Sequence, residues 1–189
     1  MAVANYHETY GRFPPAHVAD RDGRPMHSWR VLILPFLEQR AVYDAYNFAE
    51  PWDGPNNRKL ANQVGQIYLR SGLDSDQART TSFVAVVGLE TAWPGAESLS
   101  YKDLGDGSHD TLMVVEVPDG RFLWMEPRDL HLDGMSCRIN DGSGRGPGSR
   151  LGGARVVSAD GTVRTLPDGF DPRKLRAMLT ANGGEAVHE

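Results

Sequence analysis

The chain has 189 residues, 40% of them hydrophobic, with 21 glycines, 12 prolines and a formal net charge of −5. This fits one domain with a real core and a large share of loops, and its acidic balance excludes a nucleic-acid binder, which needs surplus Lys and Arg to displace phosphate counterions. The lone cysteine, Cys137, excludes an internal disulfide and a multi-cysteine zinc site.

In chain order, MAVANYHETYG has helical character and stops at Gly11, a good C′ residue. It opens as though mid-helix, with no N-cap residue and no secretory signal pattern, and about ten residues are marginal as an isolated helix. The spacing therefore predicts that it docks on something or continues something longer. A polar turn, Ala19 to Pro25, leads into HSWRVLILPFLEQRAVYDAYN, which has helical periodicity. Ser28 suits its N-cap, and Pro35 should kink or split it. Pro35 also interrupts VLILPFL, the longest apolar run, so no stretch approaches the roughly 20 apolar residues that span a bilayer. EPWDGPNN (Glu50 to Asn57) is a breaker-rich loop, and RKLANQVGQIYLRSG reads as a short helix, then a strand around Gln66 to Leu69.

After residue 80 the pattern turns to β. TSFVAVVG (Thr81 to Gly88) and TLMVVEV (Thr111 to Val117) read as strands, and Pro118 to Gly120 as a hairpin turn with RFLWM (Arg121 to Met125) returning. Glu126 to Arg150 is a loop region whose end is glycine-rich. ARVVSA and TVRTL flank Asp160-Gly161, the signature of a two-residue type I′ hairpin. Finally, FDPRKLRAMLTANGG predicts a helix over 171–183 with Asp171 at the N-cap, Pro172 at N1 and Gly183 at C′. The fold class is α+β: a single domain with a front helix (1–11), a helical and loop region (12–80), an antiparallel sheet (81–167) and a C-terminal helix (171–183).

Chemistry is sparse. No G-x-S-x-G elbow, phosphate loop, G-x-G-x-x-G turn or H-E-x-x-H occurs, so the chain is read as non-enzymatic. Asp103, Asp106 and Asp110 are weak candidates for Ca²⁺, because Gly105 and Gly107 occupy positions where an EF-hand-type loop needs ligands. Their plainer reading, like that of Asp20 to Gly23, is a turn. His109-Asp110 and His7-Glu8 are read as surface or packing pairs. Trp29, Trp52, Trp93 and Trp124 are read as core or interface residues before any sugar platform.

Several stretches, in order, resemble the large planctomycete family called domain of unknown function 1559, related to type II secretion pseudopilins. NYHETYGRFPPA carries Asn5, Tyr6, His7, Tyr10, Gly11, Pro14 and Pro15. HSWRVLILPFLEQ carries Ser28, Trp29 and Glu38, and EPWDGPNN carries Glu50, Pro51, Trp52 and Asp53. TSFVAVVG, DGSHDTLMVVEV and LRAMLTANGGE match as well, so the resemblance covers nearly the whole chain. The family's C-terminal signature, His-x9-Asp-Gly, corresponds here to Arg150, Asp160 and Gly161, with the histidine replaced. Its F-x-C-P-S cysteine is replaced in YLRSG by Arg70.

The resemblance implies a prepilin-type leader and a membrane helix upstream of Asn5, absent from this chain. It also implies a pseudopilin-like head with an antiparallel sheet, held at the cell envelope by that missing helix. The expected partners are other pseudopilin-like subunits, or further copies of itself in a fibre of a type II secretion or type IV pilus-like system, with no cofactor. The alternative is a periplasmic or surface module for a solute or carbohydrate, with Trp52, Trp93 and the loop near Gly142 as pocket walls.

Overall fold

In the computed structural model, residues 2–64, 67–68, 79–118 and 122–184 are described. Helix α1 (Ala2–Tyr10) ends where Gly11, at φ 74°, turns its N–H onto the His7 carbonyl at 2.7 Å, the left-handed stop that glycine makes without a Cβ clash. The polar turn after Ala19 joins two strands not foreseen from sequence, β1 (His17–Ala19) and β2 (Pro25–Ser28), which pair antiparallel. Asp20 organises this turn by accepting the N–H groups of Asp22 and Arg24.

The long helical pattern divides into three. Ser28 caps α2 (Trp29–Leu32) by accepting from the Arg30 N–H, and a 3₁₀ turn at Leu34–Leu37 takes Pro35 in its first positions. α3 (Arg40–Ala45) follows after Glu38, which adopts the left-handed conformation. Proline has no N–H and its ring clashes with the preceding turn, so the split falls where the sequence places it. The strand predicted around Gln66 to Leu69 lies largely outside the described residues, as do Arg70 and most of the Pro118–Gly120 turn.

β3 (Thr80–Thr81) precedes β4 (Phe83–Val87) and β5 (Leu112–Glu116). The predicted return of RFLWM along β5 does not occur: β6 (Phe122–Leu123) pairs antiparallel with β3 instead. Both edges of β5 are already taken, one by β4 and the other by β8 (Ala154–Ser158). With β7 (Leu130–His131) and β9 (Val163–Leu166), the main sheet has the order β7-β4-β5-β8-β9. It is mixed, because β7 runs parallel to β4. The preceding residue, Asp129, takes the Ala85 N–H at 2.8 Å and so draws this stretch of the long loop alongside β4.

Asp160-Gly161 is also a turn of another type. Ser158 and Thr162 close the hairpin, the Gly161 N–H bonds the Ser158 carbonyl at 2.9 Å, and Gly161 has φ 87°. Asp160 is not among the positive-φ residues, as a type I′ turn would require. The loop is Ala159-Asp160-Gly161: a type I turn followed by a glycine bulge. Asp160 favours this form by accepting the Thr162 N–H.

Cross-strand rows sort the core into two layers. Val84, Val115 and Val156 face α4 (Pro172–Leu179), which contributes Leu175, Met178 and Leu179. Ala85, Val114 and Val157 face the front half with Trp29, Ile33, Leu34 and Trp93. A register shift between Leu112 and Val114 lets Met113 and Val114 share the front layer, the local effect of a β-bulge. In α4, Asp171 caps as predicted, by accepting from the Arg173 N–H. The helix stops at Leu179, before the predicted end at Gly183, because Thr180 turns extended to bridge Thr91 and Ala181 bonds the Glu90 carbonyl. Helices, hairpin and mixed sheet together make the domain α+β.

Candidate functional site

The sequence-predicted residues fall into separate clusters. On α1, Asn5 is exposed and its carbonyl accepts from the Thr9 hydroxyl. Tyr6 and Tyr10 lie against Phe36. His7 packs between Phe13 and Tyr101, and its Nε2 faces the Tyr101 N–H at 3.3 Å. Burial pushes the His7 imidazole below its ordinary pKa, against the pull of Glu8. The neutral ring is then the acceptor that the Tyr101 amide requires. Pro14 is buried and Pro15 half-buried in the turn that follows. These residues fasten α1 to the body of the protein.

A second cluster forms around HSWR. The Arg30 side chain is 0% exposed and its Nη2 lies 2.5 Å from Asp129 Oδ1, on a side chain only 3% exposed. Arg30 also donates to the Phe83 carbonyl and the Ser28 hydroxyl. The same Asp129 oxygen accepts from Trp29 Nε1 at 3.3 Å. The Arg30 carbonyl accepts the Tyr68 hydroxyl. Burial pushes the Asp129 carboxyl up, against the opposing pull of Arg30 and of the Ala85 and Trp29 donors. Sequence reading missed Asp129. A signal existed: an arginine inside the apolar run WRVLIL must find a carboxylate if that run is buried.

The EPWDGPNN loop closes on itself. Glu50 accepts the N–H groups of Asn56 and Asn57 and the Asn56 side chain. Desolvation works to raise its pKa, yet these bonds prevail and hold the carboxyl below its ordinary value. Asn57 is fully buried. Its Oδ1 takes the Asn47 N–H, and its Nδ2 donates to the carbonyls of Asn47, Glu50 and Pro51. The Trp52 N–H bonds the Met26 carbonyl, tying the loop to β2. The Asp53 carbonyl receives the fork of Arg58.

The three candidate calcium ligands diverge. Asp103 accepts the Ser100 hydroxyl and N–H at 2.7 Å each, and these two bonds lower its pKa. Asp106 accepts the N–H groups of Gly183 and Gly184 and anchors the end of the described chain. Asp110 is half-buried beside the start of β5. Among the described residues, no group of three His, Cys, Asp or Glu side chains is placed to hold a metal ion.

The signature pair is divided by β8. Arg150 is exposed in the glycine-rich loop before it, and Asp160 lies in the hairpin tip after it, with His109 Nδ1 at 3.0 Å from Asp160 Oδ2. Burial tends to raise the Asp160 carboxyl, and bonds from Thr162 and His109 outweigh it.

Three cavities matter. A groove of about 340 Å³ runs beside the start of α1, between Ala2, Val3, Trp29, Ile33, Val157 and Val163. One of about 310 Å³ is lined by Trp52, Leu123, Trp124 and Met125, with Asp53, Arg58 and Arg79. A third, of about 260 Å³, lies in the glycine-rich loop with Gly142 and Arg150. Trp93 is fully buried and donates to the Met113 carbonyl. The pocket expected from Trp52, Trp93 and Gly142 is therefore not one site.

No helix among the described residues is long and apolar enough to cross a membrane. No curated protein and no solved structure matches the chain. The family described as "Protein of unknown function (DUF1559)" matches residues 1–136, a span holding the α1 joint, the Arg30–Asp129 pair and the EPWDGPNN loop. The chain belongs to this family.

Proposed function

We propose that the chain is the pseudopilin-like head of a non-enzymatic assembly protein of the cell envelope, acting in a type II secretion or type IV pilus-like system. The observation that carries this reading is the seating of α1. Tyr6, His7 and Tyr10 clamp its later turns, while Ala2 and Val3, with Trp29, Ile33 and Val163, line an apolar groove where the helix begins. A helix fixed rigidly at one end, with an apolar channel beside the other, suits a spine on which heads are hung. Subunits repeating head to tail along such a spine would form an open, helical assembly.

The test is expression of the full-length gene, followed by the fate of any leader and the state of the product. Processing of a prepilin-type leader, with membrane association or fibres, is the expected result. Stable soluble monomers with no processing would refute the proposal.

A further inference from the structure

We infer that the cavity beside the EPWDGPNN loop binds a small hydroxylated carboxylate with one apolar face, the shared chemistry of phenolic acids and sugar acids. Its floor is apolar: Trp52, half-buried, with Leu123 and Met125. Among the described residues no ring or guanidinium stacks on Trp52, whereas Trp29 carries Arg30 and Trp124 carries Tyr68. An uncovered indole face takes a flat ring or the C–H face of a sugar.

The rim is charged and held in place. Arg58 is braced by its fork on the Asp53 carbonyl, with Nε at 3.1 Å and Nη2 at 2.8 Å. Arg79 is braced by Nε on Asn62 Oδ1 at 2.6 Å. Each guanidinium has five N–H donors and these bonds leave some for a ligand, so the rim presents two positioned cations suited to a carboxylate. Asp53 lies on the same rim. Its carboxylate repels a second anion and accepts a hydroxyl, which is why the ligand is hydroxylated. At about 310 Å³ the cavity stands at the small end of ligand sites, room for one ring. The site involves neither α1 nor its groove, so it stands or falls separately from the assembly role.

Isothermal titration of the 189-residue chain with 4-hydroxybenzoate and with glucuronate, at millimolar concentration, tests this. Benzyl alcohol and glucose are the neutral counterparts. At least one acid binds saturably and more tightly than its neutral counterpart, and which acid does so identifies the source. The R58Q/R79Q variant weakens that binding roughly tenfold or more, as expected for loss of hydrogen bonds to a charged group. R173Q, on α4, which packs in the other core layer from Trp52, leaves it unchanged. Circular dichroism and the thermal midpoint verify that each variant is folded, and R58K, which keeps the charge but not the fork, should fall between. No saturable binding of either acid overturns the inference. So does equal binding of the neutral compounds, or unchanged affinity in a folded R58Q/R79Q protein.

Discussion

Truncation of Asp129 to alanine is the sharpest test of how the two halves of the molecule are joined. It removes the counterion of a guanidinium that is 0% exposed and the acceptor for Trp29 Nε1 and the Ala85 N–H. Arg30 keeps the Phe83 carbonyl and the Ser28 hydroxyl, which are neutral and cannot balance the charge. Breaking a buried pair from one side costs about 3–5 kcal/mol, a large fraction of the stability of an ordinary domain. Asp129→Asn should cost less, because it keeps an oxygen for the Ala85 and Trp29 donors. The double variant R30M/D129L should recover part of the loss, since it removes both buried charges but leaves the Ala85 and Trp29 donors without their acceptor. Both charges are costly to keep dry. Urea unfolding followed by tryptophan fluorescence gives the differences as midpoint shifts at constant slope. A loss below about 1 kcal/mol for D129A, or a double variant as unstable as the single one, would refute the reasoning.

Asn57→Ala, measured the same way, should cost about 1–3 kcal/mol, because it empties a fully buried position and removes the donor shared by the part-buried carbonyls of Asn47, Glu50 and Pro51. Gly161→Ala should cost roughly 1–2 kcal/mol at its left-handed φ, and Gly161→Asn less. Asp160→Gly should give no gain in thermal midpoint, whereas relief of strain at a type I′ position would raise it. Asp103→Asn should lower the thermal midpoint at about pH 6 and match wild type at about pH 2. The native carboxyl has a lowered pKa, so its stabilisation is complete above the unfolded pKa and is lost as pH falls through the folded one.

Local features were legible because local chemistry decides them. Ser28, Asp171, Pro35 and Gly11 each act on a backbone group within a few residues, and each sits where its residue type requires. The apolar runs of β4 and β5 were likewise readable from hydrophobicity alone. What the pattern could not convey was partnership. RFLWM has strand character, but only the occupied edges of β5 determine that it pairs with β3. The end of α4 depends on Thr91 and Glu90, which no periodicity within the helix encodes. An Asp-Gly pair favours a tight hairpin, yet the choice between two turn types followed the closure at Ser158 and Thr162. The clusters around the candidate site were missed for the same reason: Arg30 and Asp129 are 99 residues apart.

That separation has a consequence for the chain as it is made. Residues emerge from the ribosome in order, and the front half with Trp29 and Arg30 is available long before Asp129. Until then the guanidinium can leave water only at the cost of an unbalanced charge, which disfavours burial of the WRVLIL segment. The β5 strand likewise waits for β8, which emerges later still. Closure of both layers is deferred until nearly the whole domain is available, and pairings of such long sequence separation form slowly. The buried ion pair therefore ties closure of the front layer to a residue made 99 positions later, and exposed apolar surface in such an interval is what favours aggregation in general.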